Sequence, residues 1–398
     1  MENLKTYEQG MDLTAKTISG LEEVLADELK ALGATEVQTG KRVVLFRGDK
    51  EIIYKANYLC RTALRILKPI GVFTVRNEKE LYEKVKRIDW TQVFGLRQTF
   101  MVNATISQSS MTHSLYVALK TKDAIVDQFR DKLGKRPYVD KENPTIYVDV
   151  HINREKCTIS LDSSGASLHK RGYRVATDKA PINEVLAAGL IKLSGWNKEG
   201  DFMDPMCGSG TIPIEAAMEA LNIPAGYYRK HFAFENWHDF DHDLWHDIKE
   251  EANNRIAEYD NPIIASDQSF KAFSIARSNL KNAGLQMDVT LINKPFEKMN
   301  PESGKGMLLF NPPYGERLEE KDIIALYKMI GDVLKTKFKG YEAWMITGNP
   351  AAAKFVGLRP SKKIKLYNGQ IESKFIKFEL YEGSRKAKKQ TPSDTKSS

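Results

Sequence analysis

The chain has 398 residues, 41% of them hydrophobic, and a formal net charge of +8. That leaves room for two or three globular domains with sizeable cores. Three scattered cysteines (Cys60, Cys157, Cys207) without CxxC spacing argue against a disulfide framework or a zinc site, and for a reducing compartment such as the cytoplasm.

Residues 1–60 carry 8 basic and 10 acidic side chains. The polar stretch from Met1 to Asp12 lacks the apolar core of a signal peptide. Beyond it the pattern predicts a small α+β unit. Leu21, Val24, Leu25, Leu29 and Leu32 recur at helical spacing, and Gly33 is placed to end that helix. Val43 to Phe46 predicts a strand, and Glu51 to Leu59 a second helix. Residues 61–165 hold 18 basic and 12 acidic side chains. Strands are predicted at Ile70 to Val75, Phe100 to Ser107, Thr145 to Ile152 and Cys157 to Leu161. A helix from Ser114 to Leu133 carries Lys120, Lys122, Arg130 and Lys132. The positive excess sits here and in the tail, 383–398, which has 5 basic residues and 1 acidic one and is expected to be disordered. Residues 166–382 are balanced, 29 against 29. Such a division fits a polyanion held by one part and modified by another, and equally a plain solubility pattern. No apolar run approaches the ~20 residues of a membrane helix.

From residue 180 onward strands alternate with helices, the sign of a parallel sheet covered on both faces. Asp201 to Asp204 is a short strand, and Pro205-Met206-Cys207-Gly208-Ser209-Gly210-Thr211 a glycine turn into a helix, Ile212 to Leu221. The two glycines let backbone approach a ligand, and the helix start offers free N–H groups. The third glycine of a dinucleotide fingerprint is missing, and no lysine follows as in a P-loop. Asp204 would repel a pyrophosphate but suits an ammonium, so the turn predicts an amino-acid-like ligand such as S-adenosylmethionine. Residues 223–262, rich in aromatics and histidine, read as an insertion. His238, His242 and His246 lie four apart, but the interleaved acids favour a surface helix with packed Trp237 and Trp245 over a metal site. Tyr227, Tyr228, Phe232 and Phe234 are candidates for a wall beside a target base. Pro262 to Asp267 is a strand ending in an acid, placed to bind ribose hydroxyls, and a helix follows from Phe270 to Asn282.

The most informative stretch comes last. The apolar strand Met307 to Phe310 runs into Asn311-Pro312-Pro313-Tyr314. Two prolines remove two backbone donors. The Asn311 side chain and the Pro312 carbonyl can then accept the two protons of a planar NH2 group, while Tyr314 stacks on its ring. Holding the amine this way turns its delocalised lone pair out of the plane, toward an electrophile. The chain closes with strands at Glu342 to Thr347, Lys362 to Leu366 and Lys374 to Tyr381, the last two forming a terminal hairpin.

Asp204-Pro205-Met206-Cys207-Gly208-Ser209-Gly210-Thr211 with Asn311-Pro312-Pro313-Tyr314-Gly315-Glu316-Arg317 resembles the THUMP-containing class I methyltransferases. His169 to Arg174 and Ala180 to Glu184 add to the likeness, which runs from about Leu13 to Glu382. The nearest members resemble the bacterial enzyme that makes N2-methylguanosine in large-subunit ribosomal RNA, and many carry an N6-adenine DNA methylase label. The resemblance implies a Rossmann-like class I methyltransferase domain (166–382) preceded by a ferredoxin-like α+β region (1–60) and a THUMP RNA-binding domain (61–165). It implies S-adenosylmethionine as cofactor, RNA as partner, and no metal or membrane. Asn311, Pro312, Pro313 and Tyr314 would hold the target base. Asp204, Pro205, Cys207, Gly208, Gly210, Thr211, Asp267 and Asn311 would seat the cofactor. Related enzymes place an Asp on the cofactor adenine where this chain has Asn293, so Asn293 and Phe296 become the adenine contacts. Cys207 reads as a small lining residue, because amine methylation needs no thiol nucleophile. Four alternatives share some of these features: a DNA adenine-N6 methyltransferase, a tRNA guanine-N2 methyltransferase, a protein-glutamine methyltransferase, and a non-catalytic RNA-binding or ribosome-assembly factor.

Overall fold

The computed structural model describes residues 10–177, 181–313 and 320–381. Tyr314 and the basic tail 383–398 lie outside the described residues. The chain divides into two compact units. One is built from residues 1–172 with 223–256, the other from 173–222 with 257–398.

The first unit is organised by one seven-stranded sheet. Its strands are β1 (Met11–Lys16), β2 (Thr35–Gly40), β3 (Val43–Gly48), β4 (Arg65–Thr74), β5 (Phe100–Ser107), β6 (Ile146–Asn153) and β7 (Lys156–Asp162), in the order β2-β3-β1-β4-β7-β6-β5. The sheet runs across residue 60, because β4 pairs antiparallel with β1 on one side and β7 on the other. Pro69 cannot donate to a ladder, and the register of β4 shifts between Pro69 and Gly71. Parallel β5 and β6 are joined by the helix Ser114–Leu133, as a parallel pair requires a long crossover. Asp49 caps the helix Lys50–Leu59 by accepting from the Ile52 N–H, and that helix buries Ile52, Ile53 and Ala56.

Residues 223–256 complete this unit's core. Phe232, Phe234 and Trp245 are buried against Tyr54 and Tyr58. Tyr54 stacks on Phe234 at 4.4 Å, and Trp245 meets Phe234 edge-on at 5.1 Å. The expectation of a wall beside a target base is therefore corrected for Phe232 and Phe234: they fill a hydrophobic core. Burial pushes the Tyr54 and Tyr58 hydroxyls up to about 12. Asp241 caps the helix His242–Asn253, so His238 precedes it and the three histidines do not share a helical face. His246 lies 3.8 Å from Asp247 and 3.8 Å from Glu250, all three exposed.

The second unit has the other seven-stranded sheet: β8 (Asp201–Asp204), β9 (Ile263–Ser266), β10 (Thr290–Ile292), β11 (Gly306–Phe310), β12 (Glu342–Thr347), β13 (Lys362–Asn368) and β14 (Ile371–Glu379). The order is β10-β9-β8-β11-β12-β14-β13. The first five are parallel, and β14 and β13 add an antiparallel hairpin at the edge. β8 and β9 are buried along their whole length, as expected of strands covered on both faces, the polar Asp201, Asp204 and Ser266 included. From β8 the chain steps outward through β9 to β10, then returns to place β11 on the other flank of β8. That reversal opens a crevice beyond the carboxyl ends of the strands, the usual ligand position in such sheets.

Candidate active site

A cleft of about 1030 Å³ lies at this crevice, wholly within the second unit. Three strand ends supply its floor: Asp204 from β8, Asp267 just after β9, and Asn311 just after β11.

Asp204 is 1% exposed. Its Oδ1 accepts from the Met206 N–H at 3.1 Å, while its Oδ2 is buried without a partner among the described residues. Burial drives this carboxyl well above the usual range, the Met206 bond opposes the shift, and the neighbouring Asp267 adds to it. A partnerless buried carboxylate facing a cleft is a site for a cation.

The turn after Asp204 is held from beneath. The Cys207 N–H donates to the Ser266 carbonyl at 2.9 Å, and the Gly208 N–H to Asp267 Oδ2 at 3.0 Å. Gly208 sits at φ +55°, with open space where a Cβ would point, so backbone and ligand can meet there. Gly210, at φ +81°, caps the helix Thr211–Ala220, and a Cβ on it would lie 3.2 Å from the Ala276 Cβ. It does not line the cleft; its absent side chain lets two helices approach. Burial and two nearby carboxylates push the Cys207 thiol up, against any nucleophilic role.

Asp267 also orders its own turn, Oδ1 accepting from the Ser269 N–H at 2.9 Å. Asn293 is likewise absent from the lining; its side-chain NH2 donates to the Asp267 carbonyl at 2.7 Å and ties the ends of β9 and β10 together. Phe296 lines the cleft and is buried among Phe310 and Phe338, 6.0 and 5.7 Å away. Asn311 Oδ1 is a second buried oxygen without a partner among the described residues. Pro312 and Pro313 join it in the lining, as do Pro205, Cys207 and Thr211.

Two supports beneath the site were not legible in the sequence. Arg174 donates to Glu184 (2.8 Å), Ser209 Oγ (3.0 Å) and Thr211 Oγ1 (2.8 Å), fastening the glycine turn to the helix Glu184–Ser194. Asn279 is fully buried; its NH2 donates to the carbonyls of Ala176 (3.0 Å) and Ser209 (2.9 Å), and its oxygen accepts from the N–H groups of Val175 (3.0 Å) and Ala176 (3.1 Å). Arg174 and Glu184 stand in stretches that sequence reasoning singled out, but nothing in the one-dimensional pattern pairs them. Asn279 carries no signal beyond being a polar residue on a helix's apolar face.

The second unit's sheet, with a buried carboxylate ending one strand and a buried amide oxygen just after its neighbour, has the layout of a Rossmann-like methyltransferase domain. The chain belongs to the RMKL-like methyltransferase family, whose domain matches residues 171–377. A THUMP domain matches residues 75–162, and an RlmL ferredoxin-like domain residues 12–67. A Synechocystis sp. protein described as a candidate RNA methyltransferase is 38% identical over 371 residues, covering 92% of this chain and 96% of its own. The ribosomal RNA large subunit methyltransferase K/L of Syntrophotalea carbinolica is 39% identical over 375 residues, covering 91% of this chain. The chain spans only 53% of that protein's length. The crystal structure of SMU.472, a candidate methyltransferase complexed with SAH, superposes with a TM-score of 0.85 at 31% identity, covering 95% of this chain and 100% of that one.

Proposed function

We propose that the protein is an S-adenosylmethionine-dependent RNA methyltransferase acting on an exocyclic base amine, guanine N2 of large-subunit ribosomal RNA. The observation that carries this reading is the pair of unpartnered buried oxygens, Asp204 Oδ2 and Asn311 Oδ1, in one cleft. Asp204 Oδ2 accepts from the cofactor's ammonium. Gly208 lets backbone close on the methionine part, Asp267 takes the ribose hydroxyls, and Phe296 packs on the adenine. The bound cofactor supplies a methyl group on a cationic sulfur. Asn311 Oδ1 and the Pro312 carbonyl accept the two N–H bonds of the base amine and turn its lone pair toward that methyl. The amine's displaced proton passes to solvent, so no strong base is required. Tyr314 stacks on the base, which must leave its helix to arrive. Because the electrophile is strong, positioning supplies much of the rate. In this reading residues 61–165, with their positive excess and the THUMP match, hold the RNA.

The test uses labelled cofactor with total RNA, ribosomal subunits and DNA from a strain lacking the protein, with the product nucleoside identified by mass spectrometry. N2-methylguanosine in large-subunit RNA is the expected product. N6-methyladenine in DNA, or no product while cofactor still binds, overturns the reading. Asn311→Ala should lower kcat by about 10²- to 10³-fold, as loss of one preorganised polar contact does, with cofactor affinity by calorimetry largely intact. Equal loss of both would sink the role given to Asn311.

A further inference from the structure

We infer that Asp322 is the residue that selects guanine over adenine in this cleft, an inference that rests on the guanine-N2 reading above. The cleft is lined by four carboxylates, Asp204, Asp267, Glu297 and Asp322, and by no lysine or arginine among the described residues. Among these lining residues a phosphate finds no counter-charge; a base edge rich in N–H groups does. Strand order sorts the four. Asp204 ends β8, Asp267 follows β9, and Glu297 adjoins Phe296 after β10, so these three border the path from methionine to adenine. Asp322 alone follows β11 and Asn311, on the side where the amine is held.

Its helix, Glu320–Lys337, turns one face to the cleft: Asp322, Leu326 and Met329, at i, i+4 and i+7, all line it. Two apolar side chains below a carboxylate suit a flat ring with a polar edge. Asp322 is exposed and makes no hydrogen bond or ion pair with the described residues.

Guanine presents N1–H directly beside its N2 amine. With the amine held by Asn311 and Pro312, the adjoining N1–H points to a further acceptor, which a carboxylate supplies as a charge-assisted bond. Adenine presents a lone pair at N1 beside its amine, and a carboxylate there is repelled. The same four-residue motif that holds an amine on either base thus gains its preference from the helix that follows it.

The probe is 2-aminopurine riboside, which keeps the 2-amine but carries a lone pair at N1, placed by ligation at the methylated position mapped with the wild-type protein. Wild-type kcat/KM should favour guanosine by about 10- to 100-fold, the worth of one hydrogen bond to a charged group. Asp322→Asn, whose amide donates to the N1 lone pair, should bring the two substrates within about threefold of each other. Cofactor affinity and thermal stability should match the wild type. An unchanged preference in Asp322→Asn, with guanosine still methylated by the wild type, overturns the role of Asp322 alone. Methylation of adenine in place of guanine overturns the proposed function and this inference together.

Discussion

Replacing Asn279 with alanine tests whether the glycine turn is held by its buried support. Four hydrogen bonds are lost: two to carbonyls and two from N–H groups. Each is worth about 1 kcal/mol net. Val175 is exposed, so water can replace that bond in the variant, whereas the Ser209 carbonyl keeps no partner from the side chain that held it. Counting three of the four gives about 3 kcal/mol of destabilisation. In a unit of ~190 residues that corresponds to a fall in melting temperature of about 6 to 12 °C. Because Ser209 belongs to the cofactor turn, affinity for S-adenosylmethionine should drop as well, by about tenfold, equivalent to 1.4 kcal/mol. Urea unfolding and calorimetric titration measure the two effects. Loss of less than about 1 kcal/mol with full cofactor affinity would refute the reasoning, since it would mean water or a backbone shift satisfies the turn equally well.

Asp204 predicts a pH dependence. Its folded-state pKa is raised, so between the ordinary carboxylate value near ~4 and the raised value the folded protein binds more protons than the unfolded chain. Stability of the cofactor-free protein should therefore fall as pH rises through that window, and Asp204→Asn should abolish the fall; parallel melting curves for the two proteins would contradict it. Trp245→Ala should destabilise the first unit by about 3 to 5 kcal/mol, the range for deleting a buried tryptophan. Its four ring contacts, with Tyr54, Tyr58, Phe232 and Phe234, all lie in that unit, so cofactor affinity measured below the melting point should not change.

Where local chemistry dictates geometry, the sequence was readable. The helix from Ser114 to Leu133, the strand from Phe100 to Ser107 and the strand from Glu342 to Thr347 have the bounds their patterns predict. β2 and the helix Glu78–Arg87 escaped notice because their residues are mostly solvated; the helix buries only Leu81 and Val85 and is held by the Asn77 cap. In the cleft, Asp204, Asp267 and Asn311 were legible because each stands at or just after the end of a short strand, a position that a one-dimensional pattern marks. Gly210 and Asn293 were read as ligand contacts, yet they stand behind the lining and act on helix packing and on the Asp267 backbone. Sequence places a residue near a turn, but which side of the turn it serves is decided by neighbours from distant segments. Arg174 and Asn279 make the same point from the other direction, since their partners lie up to 104 positions away.

The path of the chain through its two units has a consequence for biogenesis. The first unit is left at residue 172, re-entered at 223 and left again at 256. A ribosome that has finished β7 has therefore made every strand of the first sheet but none of the aromatic plug that seals it. Phe232, Phe234 and Trp245 emerge only after β8, the founding strand of the other sheet, has been synthesised. At typical synthesis rates of ~5 to 20 residues per second, the interval lasts several seconds, during which Tyr54 and Tyr58 face solvent. Nascent chains arrested between residues 172 and 223 should then be the species that chaperones hold and proteases cut first.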